Sequence, residues 1–240
     1  MLLSLFRFYL RSYLKSNKYI VPIIAFVAYQ AMAYSVIPVD VLPSFTLSAT
    51  VTFLIMVWLG FSFNEAEALE TEQIIFLKVK NKNYIGISKI LLMLFLGSLF
   101  SIAGTLYPLL VNVINQFHVF TREVQALDII FSLFVHILYG CLGSMIGLIF
   151  HGRIIKNRKE ALLLVVFIAV ISIVKGSIEQ DIPIIRIISW IIPPIYGLSI
   201  AATKTEYVVV RNLIYPLGLA MIYFVVEIFI YLKLFKHKLF

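Results

Sequence analysis

One cysteine, four histidines and twelve acidic residues are scattered over 240 positions, too thinly to assemble the usual reactive centres. Cys141 alone forms neither an intrachain disulfide nor a cysteine-rich metal site. His118, His136, His151 and His237 lie far apart, with no HExxH or comparable ligand spacing, so no metal centre is expected. The sequence contains no GxxxxGK[ST] phosphate loop and no GxSxG nucleophile turn. No paired carboxylates sit within its apolar stretches for acid and base roles. The chain therefore reads as a protein with no catalytic centre of its own.

Charge is scarce too. Only 13% of residues are charged and 62% are hydrophobic, against about a quarter and about half in a soluble domain. Water is thus excluded as the main solvent. A bilayer crossing takes about 20 mostly apolar residues, and the expected crossings are residues 19–37, 44–63, 90–115, 129–150, 161–178 and 208–232. The expected fold is all-α and integral to the membrane, a single domain over residues 1–240 with six transmembrane helices. In a soluble protein the net charge of +8 would point to nucleic acid; here it reports orientation, because cytoplasmic segments collect Lys and Arg. With the N-terminus inside, 15 of the 20 basic residues fall on the cytoplasmic side. A seventh crossing at residues 182–202 would put the C-terminal lysines outside, against that bias. Both termini are expected in the cytoplasm, and no nucleic-acid partner is expected.

Three further segments carry patterns. Residues 1–18 place Arg7, Arg11, Lys15 and Lys18 on one helical face with Leu3, Phe6, Leu10, Tyr13 and Leu14 between them, the pattern of an amphipathic helix lying among lipid headgroups. The competing reading is the basic start of a signal peptide, with Ala31-Met32-Ala33 as cleavage site. Residues 179–207 are apolar but broken by Pro183, Pro193 and Pro194; the run 184–192 spans about 14 Å as a helix, so a re-entrant external segment is expected. Gly143 and Gly147 form a GxxxG pair suited to close packing within the bundle. Glu227, in the last crossing, is the main ionisable group in an apolar stretch, either on a transport pathway or paired with a basic neighbour near Lys233. Lys175 is expected to reach towards the outer headgroups.

The richest stretch is 64–89. Glu65, Glu67, Glu70 and Glu72 open it, Ile74, Ile75, Phe76 and Leu77 follow, and Lys78, Lys80, Lys82 and Lys89 close it. Acidic start and basic end complement a helix macrodipole, so a short helix over 65–77 is expected. Its apolar residues ask for a protein or membrane-surface partner.

Here the chain resembles the permease subunits of ABC-2 type exporters. Glu70, Glu72, Gln73, Phe76, Leu77, Lys80 and Lys82, then the Tyr84, Gly86 and Lys89 lead-in to the third crossing, match that family's cytoplasmic connection in kind and order. Lys78-Val79-Lys80 stands where the family has a proline turn. The resemblance implies a coupling helix that docks on an ATPase subunit through Glu67, Glu70, Glu72, Gln73, Phe76, Leu77, Lys80 and Lys82. It further implies a second permease copy or homologue, ATP and Mg handled by the partner ATPase, and a bacterial plasma membrane. The small size is similar to Gram-positive permeases for peptide export or bacteriocin immunity, which makes an amphipathic peptide the implied substrate. Two rivals remain at this stage: a secondary transporter, and a non-transporting immunity or scaffold protein.

Overall fold

The computed structural model describes residues 1–240 apart from 67–68, 151–154, 156, 183, 185, 191 and 239–240. Among the described residues the chain is 82% helical with no strand, only an isolated bridge between Val39 and Phe120. The helices are α1 (Leu2–Lys15), α2 (Ile20–Ala33), α3 (Val41–Ala66), α4 (Leu69–Lys78), α5 (Asn83–Ile114), α6 (Ala126–Ile149), α7 (Arg158–Asp181), α8 (Arg186–Ser189), α9 (Ile195–Thr203) and α10 (Val210–Lys238). Five of them, α3, α5, α6, α7 and α10, are long and apolar enough to cross a bilayer, the architecture of a multi-pass membrane protein.

The first expected crossing is shorter than its apolar run. α2 has 14 residues, about 21 Å at 1.5 Å per residue, against a hydrocarbon core of about 30 Å. Asn17, at φ 58°, breaks the chain before it. After it, the chain leaves helical geometry at Tyr34 so that Val39 can pair with the loop after α5, its N–H donating to Val119 O at 2.8 Å.

At the centre of the bundle α3 lies against α6 with little side chain between them. A Cβ on Gly60 would stand 2.6 Å from Ser144 O, one on Gly147 would stand 2.7 Å from Phe61 N, and one on Gly143 would overlap the Phe53 carbonyl. Bare backbone is what lets the helices touch, and in lipid such van der Waals packing replaces the hydrophobic drive. The GxxxG pair thus packs the bundle. α5 crosses α6 in the same way, with a Gly140 Cβ position 3.6 Å from Gly97 Cα.

Connections gather at two opposite ends. At one, Thr121 Oγ1 donates to Asp40 Oδ1 at 2.9 Å, and Arg122 grips Asp128 with two bonds of 2.7 and 2.9 Å. Arg122 also donates to Glu206 O and lies 4.3 Å from the Tyr207 ring centroid. The Asp128 hydrogen bonds raise the guanidinium pKa above its ordinary value. Asp128 closes a capping box with Gln125 and places negative charge at the start of α6, where the macrodipole favours it.

Between α7 and α10, α9 packs among the inner helices. The Tyr139 hydroxyl donates to Ile195 O at 2.7 Å and lies 2.8 Å from Ser199 Oγ. Lys175 Nζ donates to Ile192 O at 2.9 Å, immediately before the Pro193–Pro194 pair. Glu179 accepts from the Ser189 hydroxyl. Pro183, part of the segment expected to be re-entrant, lies outside the described residues, as do Arg153 and Lys156 of the loop before α7.

Candidate coupling site

The other end of the bundle carries the 64–89 stretch. α3 extends to Ala66, beyond the expected crossing, because its last turn is tied down. The buried Asn64 amide donates to Gly147 O and Leu148 O at 3.1 and 3.0 Å, satisfying carbonyls at the end of α6. Glu65 accepts from Arg158 of α7 through both oxygens, and Lys18 donates to the Glu65 backbone carbonyl at 2.8 Å. Tyr13 of α1 sits 2.7 Å from the Ser62 hydroxyl, and burial pushes its pKa up to about 12.

The described residues of the stretch are helical to Ala66, at the end of α3, and again from Leu69, at the start of α4. α4 has two distinct faces. Inward, Glu72 is buried and paired with Lys89 of α5 at 3.2 Å, both side chains almost wholly shielded. The Lys89 ammonium also lies 5.3 Å from the Tyr9 ring centroid, 5.8 Å from Phe63 and 5.5 Å from Phe235. One cation therefore joins α1, α3, α4, α5 and α10. Such contacts gain strength where water is excluded. Phe76 is also buried, its ring 5.7 Å from Phe235 with Lys82 Nζ 5.6 Å above it. Gly86, one turn before Lys89, makes room for α10: a Cβ there would stand 3.0 Å from a Leu232 methyl.

Outward, Glu70, Gln73, Ile74, Leu77 and Lys78 are exposed, at the i, i+3, i+4, i+7, i+8 spacing of one helical face. Leu77 is 88% exposed, the most open of the large apolar side chains among the described residues, and Ile74 beside it is 52% exposed. The residues expected at a partner interface thus divide. Glu70, Gln73, Leu77 and Lys80 face outward, Glu72 and Phe76 lock the helix to its own chain, Lys82 leans over Phe76, and Glu67 lies outside the described residues.

Glu227 lies on α10, two turns before Phe235, buried and with Oε2 lacking a hydrogen-bond partner. No ion pair between it and Lys233 occurs among the described residues. A second buried polar group had no signal in the sequence. His136 Nδ1 lies 2.8 Å from Ser132 O and Nε2 lies 3.0 Å from Ser48 Oγ, which accepts from Gln30 Nε2 at 2.8 Å. Donation from Nδ1 to the carbonyl leaves Nε2 to accept from Ser48. Gly104 gives the ring its space, a Cβ there standing 2.7 Å from it. Its members come from α2, α3 and α6, so no local spacing announces it. No cluster of three or more His, Cys, Asp or Glu suited to a metal ion occurs among the described residues.

Against known proteins, the chain matches no family model, no curated protein and no solved structure.

Proposed function

We propose that the chain is the membrane subunit of an ATP-driven exporter of the ABC-2 type. The observation that carries the reading is the two-faced α4: an outer face with Ile74 and Leu77 bare, and an inner face anchored by Glu72 and Phe76 to α5 and α10. A free surface helix does not need so deep an anchor. A helix that must transmit a push does.

In this reading the end bearing α1 and α4 faces the cytoplasm, with both termini there. α2, with the 34–40 turn, completes a sixth crossing, and α8 and α9 form a segment that enters from the outside and returns. The depth of Ile195, held by Tyr139 more than halfway along α6, favours that return. A second permease and two ATPase subunits supply what one bundle lacks, with ATP and Mg bound in the partner. ATP-driven closure of the ATPases would pull on α4, and the anchored helices would follow, shifting the population between inward- and outward-facing states. An amphipathic peptide is the proposed cargo, for export or for self-protection.

The test is co-purification of the full chain with its ATPase, beside ATP-dependent peptide transport in inverted vesicles. Ile74→Asp and Leu77→Asp should insert and melt like the parent, because both side chains are already exposed, yet lose the ATPase, because a charge buried unpaired in an interface is costly. Normal ATPase retention and transport by both variants would overturn the proposal. Transport driven by an ion gradient without ATP would replace it with a secondary transporter.

A further inference from the structure

α1 buries Leu5, Tyr9 and Tyr13 against the bundle and turns another face to a cleft that it forms with α4. That cleft has a volume of about 600 Å³ and is lined by Ser4, Arg7, Arg11, Ser12 and Lys15 of α1 and by Thr71 of α4. Three of these side chains are cationic, and among the described residues no carboxylate lines the cleft. None of the three cations makes an ion pair among the described residues, whereas Lys18, at the end of the same segment, is held by Glu65. Like charges four residues apart destabilise a helix, so the row is a feature an anion between them would relieve. Arg7 and Lys15 are about 12 Å apart along the axis, more than one phosphate can span. Guanidinium groups bind phosphate oxygens two at a time, and the three hydroxyls add donors.

The surroundings identify the source of the phosphate. Phe8 also lines the cleft, and Leu3 and Leu14 stand exposed on the same helix, so the anion is flanked by surface suited to acyl chains. We infer that the α1–α4 cleft is a saturable site for an anionic phospholipid headgroup carrying two phosphodiesters. Because its far wall is Thr71, an occupied cleft ties α4 to α1. The binding itself stands whether or not the chain is an exporter.

Native mass spectrometry of the purified full chain in detergent tests it, with diphosphatidylglycerol, phosphatidylglycerol, phosphatidylcholine or inorganic phosphate added. One diphosphatidylglycerol should bind saturably, phosphatidylglycerol more weakly and phosphatidylcholine not at all, with no competition from inorganic phosphate. Arg7→Gln with Arg11→Gln should weaken binding about thirtyfold, at about 1 kcal/mol per cation. Thr71→Glu, which puts a carboxylate in the cleft without touching α1, should also weaken it by about tenfold or more. Lys233→Gln with Lys236→Gln, on exposed cations of α10, should leave it unchanged. Equal losses from the two double variants would mean diffuse attraction and overturn the site, as would undiminished binding in the Arg7/Arg11 variant. Equal affinity for phosphatidylglycerol would overturn the two-phosphate assignment, and displacement by inorganic phosphate would overturn the lipid one.

Discussion

Replacing Lys89 by Met should be among the most damaging single changes in the chain. Its side chain is 0% exposed and that of its partner Glu72 is 2% exposed, at a separation of 3.2 Å. Removing one member of a buried pair costs about 3–5 kcal/mol, because the other charge stays desolvated. Lys89→Met removes the cation facing the buried Glu72 and, with it, the contacts to the Tyr9, Phe63 and Phe235 rings, so its cost falls at the top of that range. Glu72→Gln leaves the cation with three rings that attract it, each worth about 0.5–2 kcal/mol, and costs less.

For a chain of this size each kcal/mol moves the melting point by about 2–4 °C, so Lys89→Met should melt roughly 10–20 °C lower. The assay is thermal unfolding of the purified chain in detergent, followed by circular dichroism. Lys89→Met combined with Glu72→Leu removes both charges and should recover most of the loss, since apolar replacement of a whole buried pair is often neutral. Parent-like melting of Lys89→Met, or a double variant no more stable than Lys89→Met alone, would refute the reasoning.

Other outcomes follow from the same geometry. Gly147→Ala should force α3 and α6 apart and cost about 1–3 kcal/mol, seen as a lower melting point, whereas Gly197→Ala, which meets nothing within 4 Å, should cost nothing. Tyr13 keeps its proton up to about 12 in the fold against an ordinary value of 10.0, so its contribution is complete below pH 10 and lost as pH rises towards 12; denaturation across that range should show a step that Tyr13→Phe lacks. Arg122→Gln breaks the shielded pair with Asp128 and the two bonds to Glu206 O, so it should lower stability by about 3 kcal/mol and speed thiol labelling of a Glu206→Cys probe.

The long helices were legible because each is a continuous apolar run, and the Gly143 and Gly147 pair was legible because its spacing is local. The limits of α2 were not: its apolar run continues to Ile37, but the helix ends at Ala33 and the chain beyond it pairs, through Val39, with residues 119–121 about eighty positions away. α4 shows the same limit at the site. Apolarity marked Phe76 and Leu77, and the family resemblance marked Glu72, as interface residues, but only the phase of the helix against Lys89 and Phe235 separates Glu72 and Phe76 from Leu77. Lys89 is 17 residues from Glu72 and Phe235 is on the last helix, so nothing near α4 in the sequence sets that phase.

That phase also decides which helices would move with α4. Its links to α1, α3, α5 and α10 run through Lys89, Phe76 and Phe235, all shielded, where electrostatic and cation–π contacts are strong. The nearest link from this end to α7 is the Glu65 pair with Arg158, whose side chain is 78% exposed, and such surface pairs contribute little. A force on the outer face of α4 would therefore reach α5 and α10 through shielded contacts, and α7 through an exposed pair. Arg158 meets Glu65 through an exposed pair, so Glu65→Gln should leave the melting point of the purified chain almost unchanged, whereas Glu72→Gln, which breaks a shielded pair, should lower it by several degrees.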